Sequence, residues 1–277
     1  YQGPRILGHF ASHYEYTRSA KHFASSTMLS QAMGGAKGPW YVGADAEINH
    51  INTNQYIATI DPVWAAANTP GMTVFCGRHR EGQFSNGPTI VAFKPWTQSS
   101  PPGAGAVLPA KTLVRYGYLG NPPVNTIDEY VRGDDWTGAV WLGEEKSAIL
   151  IWGEHGVGPQ WYGWQDADGT IVPVDGNCAQ FPGYPCHPPD ASYGGGNRGY
   201  NVYEYLCVLL AYDPKDAARV VRGEIAAHDI QPYAFIDLTQ FMLAAHAADF
   251  KPGSHIQLGN AVLDRDSRKL YLVEYAK

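Results

Sequence analysis

The sequence predicts an all-β protein, more specifically a β-propeller of about five (five to six) blades with short helical excursions. Apolar runs of about four to eight residues, rich in Val, Ile, Tyr and Trp, recur along the chain between Gly, Pro, Asn and Asp. Successive hairpins lie roughly 35 to 50 residues apart, as blades do, and no β-α-β alternation indicates a parallel sheet. A large β-sandwich is the alternative.

The turns and helices follow from local signals. Tight hairpin turns are predicted where turn-forming residues separate two apolar runs, at Gly143 to Lys146, Asp166 to Gly169 and Asp264 to Arg268. Asp213 before Pro214 and Asp61 before Pro62 each predict a helix start, because Asp is a good N-cap and Pro suits the first helical position. A third helix is predicted within 238–250.

Composition limits the class of protein. The 277 residues suit a single domain over 1–277, with the Pro- and Gly-rich loops 98–109 and 177–199 as insertions. The net charge is -6 and Lys and Arg form no run, which argues against nucleic acid as a partner. Apolar stretches fall short of the roughly 20 residues of a membrane span, so none is expected. Oligomeric state is left open.

Export is expected from the terminus and the cysteines. The chain begins at Tyr1 rather than Met, as after removal of a leader or after trimming. Cys178 and Cys186 flank a Pro- and Gly-rich loop that a disulfide would hold, which favours a secreted or periplasmic location. Cys76 and Cys207 lie in apolar runs and are predicted as buried thiols, with a second bridge as the alternative. The absence of an Asn-x-Ser/Thr sequon suits a bacterial protein.

Several stretches carry a resemblance, among them ILGHFASHYEYTRSAKHFASS, WTGAVWLGEEKSAILIWGEHGVGPQWYG, LLAYDPKDAARVVRGE and LGNAVLDRDSRKLYLVE. In their order the chain resembles a group of exported bacterial β-propeller-like proteins of uncharacterised function. The matching stretches cover about half of the chain and are spread from end to end. The likeness implies the fold and export, and it implies no reaction.

The segment from Gly153 to Gly163 is the strongest candidate site. Its glycines and a proline predict an exposed turn that gathers an acid, an imidazole and two aromatic rings. His155 is predicted as general base or metal ligand and Tyr162 as general acid, with Glu154 beside them. The alternative is a rigid hairpin whose rings only pack on the next blade.

Two further groups are candidates. In the N-terminal hairpin, His22 is predicted to form a polar cluster with Tyr14 or Tyr16, whereas a metal bound there by two histidines would require a bend of the strand. Arg78 and His79 follow an apolar run, and they either clamp a substrate carboxylate or form a solvated hairpin tip.

Aromatic residues beside scattered acids, His and Arg are typical of sugar-binding clefts. Each ring is either a stacking platform or part of the core; the rings are Trp40, Trp136, Trp161, Trp164 and Tyr233. No cofactor is expected, although calcium is an alternative for the acidic loop with Asp128, Glu129, Asp134 and Asp135.

These observations predict a carbohydrate-active protein that cleaves or binds a polysaccharide or oligosaccharide in the axial cleft of the propeller. A glycoside hydrolase needs two carboxylates roughly 5 to 9.5 Å apart, and Glu154 with Glu15 is the first pair, with Asp45 and Glu204 in reserve. A polysaccharide lyase would use His155 and Tyr162 for proton transfer, with Arg78 on the uronate. The alternatives are a non-catalytic scaffold or adhesin for a protein or cell-wall partner, and a metal-dependent oxidoreductase.

Overall fold

A computed structural model provides the fold. It describes residues 5–9, 23–27, 37–42, 56–78, 87–95, 102–103, 106–116, 125–143, 147–165, 171–173, 199–243, 256–264, 267 and 269–276. All structural statements below concern these residues.

Fifteen strands and two α-helices make up the described chain. The strands of the first half are β1 Arg5–His9, β2 Phe23–Thr27, β3 Lys37–Val42, β4 Tyr56–Thr59, β5 Val74–Gly77, β6 Ile90–Phe93, β7 Val107–Leu108 and β8 Ala110–Val114. Those of the second half are β9 Asp135–Leu142, β10 Ala148–Gln165, β11 Ile171–Pro173, β12 Gly199–Tyr212, β13 Ala234–Asp237, β14 Ile256–Asp264 and β15 Lys269–Ala276.

The strands form four sheets. The N-terminal sheet has the order β1-β2-β3-β7, and the second sheet has the order β4-β5-β6-β8. The central sheet runs β11-β10-β12-β13, and β9 pairs with the first half of β10. The C-terminal hairpin consists of β14 and β15. The pairs are antiparallel except for the short parallel pair of β3 with β7.

Both α-helices begin at the predicted caps. Helix α1 spans Pro62–Asn68, and Oδ1 of Asp61 accepts a hydrogen bond from the Trp64 amide at 2.8 Å. Helix α2 spans Pro214–Val221, and Asp213 accepts from the Lys215 amide at 2.8 Å. These side chains satisfy amide groups that the first turn of a helix leaves without partners.

The sheets pack face to face in chain order. The main core joins the second and central sheets through residues such as Phe75, Trp141 and Ile151, each 0 % exposed. On the other side of the second sheet, Phe93 packs with Val42 of the N-terminal sheet. The opposite face of the central sheet packs on the C-terminal hairpin in a cluster that includes Trp152, Cys207, Met242 and Leu258. Each sheet therefore covers a face of the next one.

The all-β prediction is confirmed, and the blade count is not. Each described sheet is an open ladder with edge strands, so none closes on itself. The predicted hairpins β9-β10, β10-β11 and β14-β15 are all present as antiparallel pairs. The predicted third helix is wrong where it is described, because only a single 3₁₀ turn, Thr239–Phe241, forms there. Of the described helices, none is long and apolar enough to cross a bilayer.

Candidate functional site

His155 lies inside the central sheet, on strand β10. Its backbone is paired with Leu206 of β12, and only 7 % of the residue is exposed. Ile149 and Ile151 of the same strand belong to the main core, and alternation along a strand puts His155 on that face. The imidazole therefore stands at the end of the apolar layer between two sheets.

A buried carboxylate holds this imidazole. Asp134, 1 % exposed, precedes β9, and its Oδ1 and Oδ2 lie 3.2 and 3.3 Å from Nδ1 of His155. Oδ1 also accepts a hydrogen bond from the Gly156 amide at 2.9 Å. One carboxylate therefore binds the side chain of one β10 residue and the backbone of the next, which orients the ring.

The pKa of His155 is raised above its ordinary value of 6.5. Burial by itself lowers this pKa, because it disfavours the charged ring. The hydrogen bond and the negative charge of Asp134, with a smaller contribution from Glu129, outweigh burial. The contact with Asp134 therefore favours the protonated form of His155 more than burial disfavours it.

Two aromatic residues continue this site onto the surface at the edge strand β13. The ring of Phe235 meets the His155 ring edge-on, with 5.0 Å between the centroids, and Phe235 is 38 % exposed. Tyr233 is 63 % exposed, and its amide donates to the Ala211 carbonyl at 2.8 Å, which extends the pairing of β13 with β12. Residues two apart on a strand share a face, so the two rings form a short aromatic row.

The other predicted platforms in the described chain are core residues. Trp136 is 1 % exposed and Trp161 is 0 % exposed, so the prediction that their rings stack on a sugar is wrong. Their aromatic surface is used instead to fill the packing between layers, where large rings bury the most area. Of the candidate rings whose side chains are described, Tyr233 alone reaches the surface.

The predicted glycine turn is also wrong. Gly153 to Gly163 lies within the single strand β10, with a bulge between Val157 and Gln160 where Gly158 has φ +87°. Tyr162 is seven residues beyond His155 on that strand, roughly 20 Å away at the usual rise. The structure therefore does not bring the predicted acid and base together.

Glu154 points away from His155. It shares the face of Trp152, which packs on the C-terminal hairpin, and it is 0 % exposed. Its charge contributes to raising the pKa of Cys207, whose backbone is paired with it across the sheet. The first carboxylate of the predicted hydrolase pair is thus enclosed between two layers.

Arg78 is 0 % exposed at the end of β5, so a solvated hairpin tip is wrong for this residue. It lies near Tyr56, whose hydroxyl donates to the Thr89 carbonyl at 2.8 Å. Burial raises the pKa of Tyr56, and the Arg78 charge partly opposes that effect. Arg78 therefore presents no solvent-exposed guanidinium to a substrate carboxylate.

Several predicted site residues lie outside the described residues, namely Tyr14, Glu15, Tyr16, His22, Asp45, His79, Cys178 and Cys186. Trp40 and Trp164 belong to β3 and β10, where only the backbone is described, and Glu204 is exposed on β12. The predicted buried thiols, Cys76 and Cys207, are confirmed.

In the predicted calcium loop, Asp128 and Glu129 are exposed, whereas Asp134 and Asp135 are buried. Within the described part of the chain, no group of three or more His, Cys, Asp or Glu side chains is arranged to hold a metal ion. Calcium at this loop stays a prediction.

Sequence reasoning missed two members of the site. The sequence places Asp134 in an acidic loop, with calcium as an alternative, and gives no link to His155, which lies 21 residues later. Phe235 carried no signal apart from its place in an apolar run next to Tyr233. Both contacts depend on how distant segments pack, so a local pattern does not reveal them.

Comparison of the chain with protein-family models, with curated proteins and with solved structures finds no match. The function is therefore inferred from the geometry of this site.

Proposed function

We propose that this protein binds a neutral polysaccharide along the edge strand β13. The aromatic row of Tyr233 and Phe235 would stack on sugar rings, and the buried pair of His155 and Asp134 would support the row from below. One observation carries the proposal: the half-exposed Phe235 ring rests on an imidazole that a carboxylate holds in place. Sugar sites combine aromatic faces with a few fixed polar groups in this way.

The surrounding charge favours a neutral glycan over a uronate. Asp128 and Glu129 are exposed in the turn that leads to Asp134, and the chain as a whole has a net charge of -6. Carboxylates on the ligand would meet carboxylates on the protein, which is unfavourable. Arg78, the residue predicted to neutralise a uronate, is enclosed in the second sheet.

Binding is favoured over cleavage by the positions of the predicted catalytic groups. Glu154 is buried beneath the C-terminal hairpin, and Tyr162 is distant from His155 along β10. A hydrolase needs two carboxylates that reach the same bond, and a lyase needs its acid and base on the same sugar. The exposed aromatic row, by contrast, is accessible without rearrangement of the fold.

The propeller arrangement and export also belong to this proposal. Consecutive sheets pack face to face in chain order, as neighbouring blades do, although the described sheets are open and do not form a closed propeller. A secreted or periplasmic protein would meet a polysaccharide outside the cytoplasm. The binding proposal itself depends only on the β13 edge.

Affinity electrophoresis tests the proposal with gels that contain laminarin, xylan or polygalacturonate. We expect laminarin or xylan to retard the protein and polygalacturonate to leave it unretarded. Replacing Tyr233 or Phe235 by Ala should weaken binding about fivefold, since a stacking contact is worth on the order of 1 kcal/mol. Tyr271→Ala is the matched control, because Tyr271 is 53 % exposed on the C-terminal hairpin.

Two results of this experiment would contradict the proposal. Absence of retardation in all three gels, or equal losses in the Tyr233 and Tyr271 variants, would refute glycan binding at β13.

A non-catalytic scaffold or adhesin is the second candidate. The outer face of the C-terminal hairpin exposes Val262, Tyr271 and Val273, at 66 %, 53 % and 45 %. Adjacent exposed apolar side chains of this kind are typical of contact surfaces. If Tyr271→Ala loses its retardation in the laminarin or xylan gel and Tyr233→Ala does not, this second candidate is favoured.

A further inference from the structure

The turn that carries Asp134 has an unfavourable backbone. Asn125 and Glu129 both lie in the left-handed region, with φ of 56° and 58°. Side chains other than glycine adopt this region at an energetic cost, so such a conformation persists only where the surroundings hold it. The turn therefore needs anchors outside its own residues.

Gln231 provides such an anchor through both ends of its side-chain amide. Its Oε1 accepts a hydrogen bond from the Asp128 amide at 2.8 Å, and its Nε2 donates to the Thr126 carbonyl at 3.1 Å. Both of these peptide groups lie between the two left-handed residues. Ile127, which separates them, is 3 % exposed in the main core.

Gln231 is also attached to the rest of the site. It precedes Tyr233 by two residues and Phe235 by four, at the approach to β13. The preceding carbonyl, of Ile230, accepts a hydrogen bond from the buried Tyr116 hydroxyl at 2.5 Å. The segment that carries Gln231 is thus fixed to the core on one side and to the aromatic row on the other.

We propose that Gln231 is a positioning residue of the glycan site, which sets the Asp134 turn relative to the aromatic row. Its amide joins the two segments that approach His155 from different sides. Loss of this amide would release the turn, withdraw the Asp134 carboxylate from the imidazole and leave Phe235 against a mobile ring. The glycan part of this inference rests on the proposed function, whereas the effect on His155 does not.

NMR titration of the His155 imidazole in the full-length chain tests the inference. Gln231→Leu keeps the size of the side chain and removes both hydrogen bonds. We expect the His155 pKa to fall, because the Asp134 contribution is lost while burial persists. Binding of laminarin or xylan should weaken about fivefold. Gln231→Glu keeps the acceptor and loses the donor, so it should give an intermediate pKa.

Asn68→Ala is the matched control. The Asn68 side-chain amide donates to the Trp64 carbonyl at 2.9 Å on helix α1, and its loss should change neither the His155 pKa nor binding. A folded Gln231→Leu protein with an unchanged His155 pKa overturns the inference. If that variant does not fold, an unchanged pKa in Gln231→Glu overturns it equally. Wild-type protein that binds no glycan refutes the proposed function, and the pKa still decides the role of Gln231.

Discussion

Replacing Asp134 by Asn should reverse the sign with which His155 contributes to the pH dependence of stability. In the wild type the folded pKa of His155 is raised, so the folded state holds the proton more tightly than the unfolded chain. The stabilisation is complete below the unfolded pKa of about 6.5 and is lost as the pH rises through the folded pKa. In Asp134→Asn burial dominates, and the folded pKa falls below the unfolded one. The contribution of His155 is then lost as the pH falls.

The size of the effect follows from the contacts of the carboxylate. Asn keeps an oxygen for the Gly156 amide but loses the charge that binds the imidazole, so we expect a loss of about 1 to 2 kcal/mol near pH 6. Asp134→Ala also leaves the buried Gly156 amide without its acceptor. Since removing one partner of a buried pair costs about 3 to 5 kcal/mol, this variant should be destabilised by that amount.

Urea denaturation at intervals between about pH 5 and 9 measures both the pH dependence and the size of the destabilisation. Each is obtained as the difference in unfolding free energy between variant and wild type. His155→Gln is the control, because it removes the titrating ring. The difference between His155→Gln and the double variant with Asp134→Asn should vary little across this range. If the wild type and Asp134→Asn differ by a constant amount at every pH, the assignment of His155 and Asp134 as a coupled pair is refuted.

Two further predictions concern buried packing positions of the sheets. Burial, reinforced by the charge of Glu154, raises the pKa of the Cys207 thiol to about 12, and Cys76 is buried as well. Both thiols should therefore resist N-ethylmaleimide in folded protein at about pH 8 and should react after addition of urea. Mass mapping that finds either one modified in the folded protein would contradict their burial. Gly138→Ala places a Cβ 2.3 Å from the ring of Trp152, and a hydrogen bond from this ring to a backbone carbonyl holds the ring in place. We therefore expect the unfolding free energy from urea denaturation to fall by about 3 kcal/mol and the near-ultraviolet circular dichroism spectrum to change. Gly158→Ala is the control, because that position has open space and only the left-handed backbone opposes the new methyl group, at about 1 kcal/mol.

Features that depend on a few neighbouring residues were predictable from the sequence. The caps at Asp61 and Asp213 start their helices because a carboxylate next to a proline satisfies amides within the same turn. The hairpin of β14 and β15 follows from turn residues between two apolar runs. The all-β class follows from the sum of such local signals.

The tertiary structure decided which side chains are buried and which residues meet. The glycines around His155 predicted a turn, but pairing with β12 from Ile149 to Gly163, interrupted by one bulge, keeps this segment extended. Trp161 is an aromatic residue of the kind that stacks on sugars, but the packing of the sheets makes it part of the core. Asp134 meets His155, and Phe235 covers the ring, through contacts between segments that are distant along the chain. Local sequence determines the conformation of a segment, whereas the face it presents and the partners it finds depend on the burial of apolar surface across the whole chain.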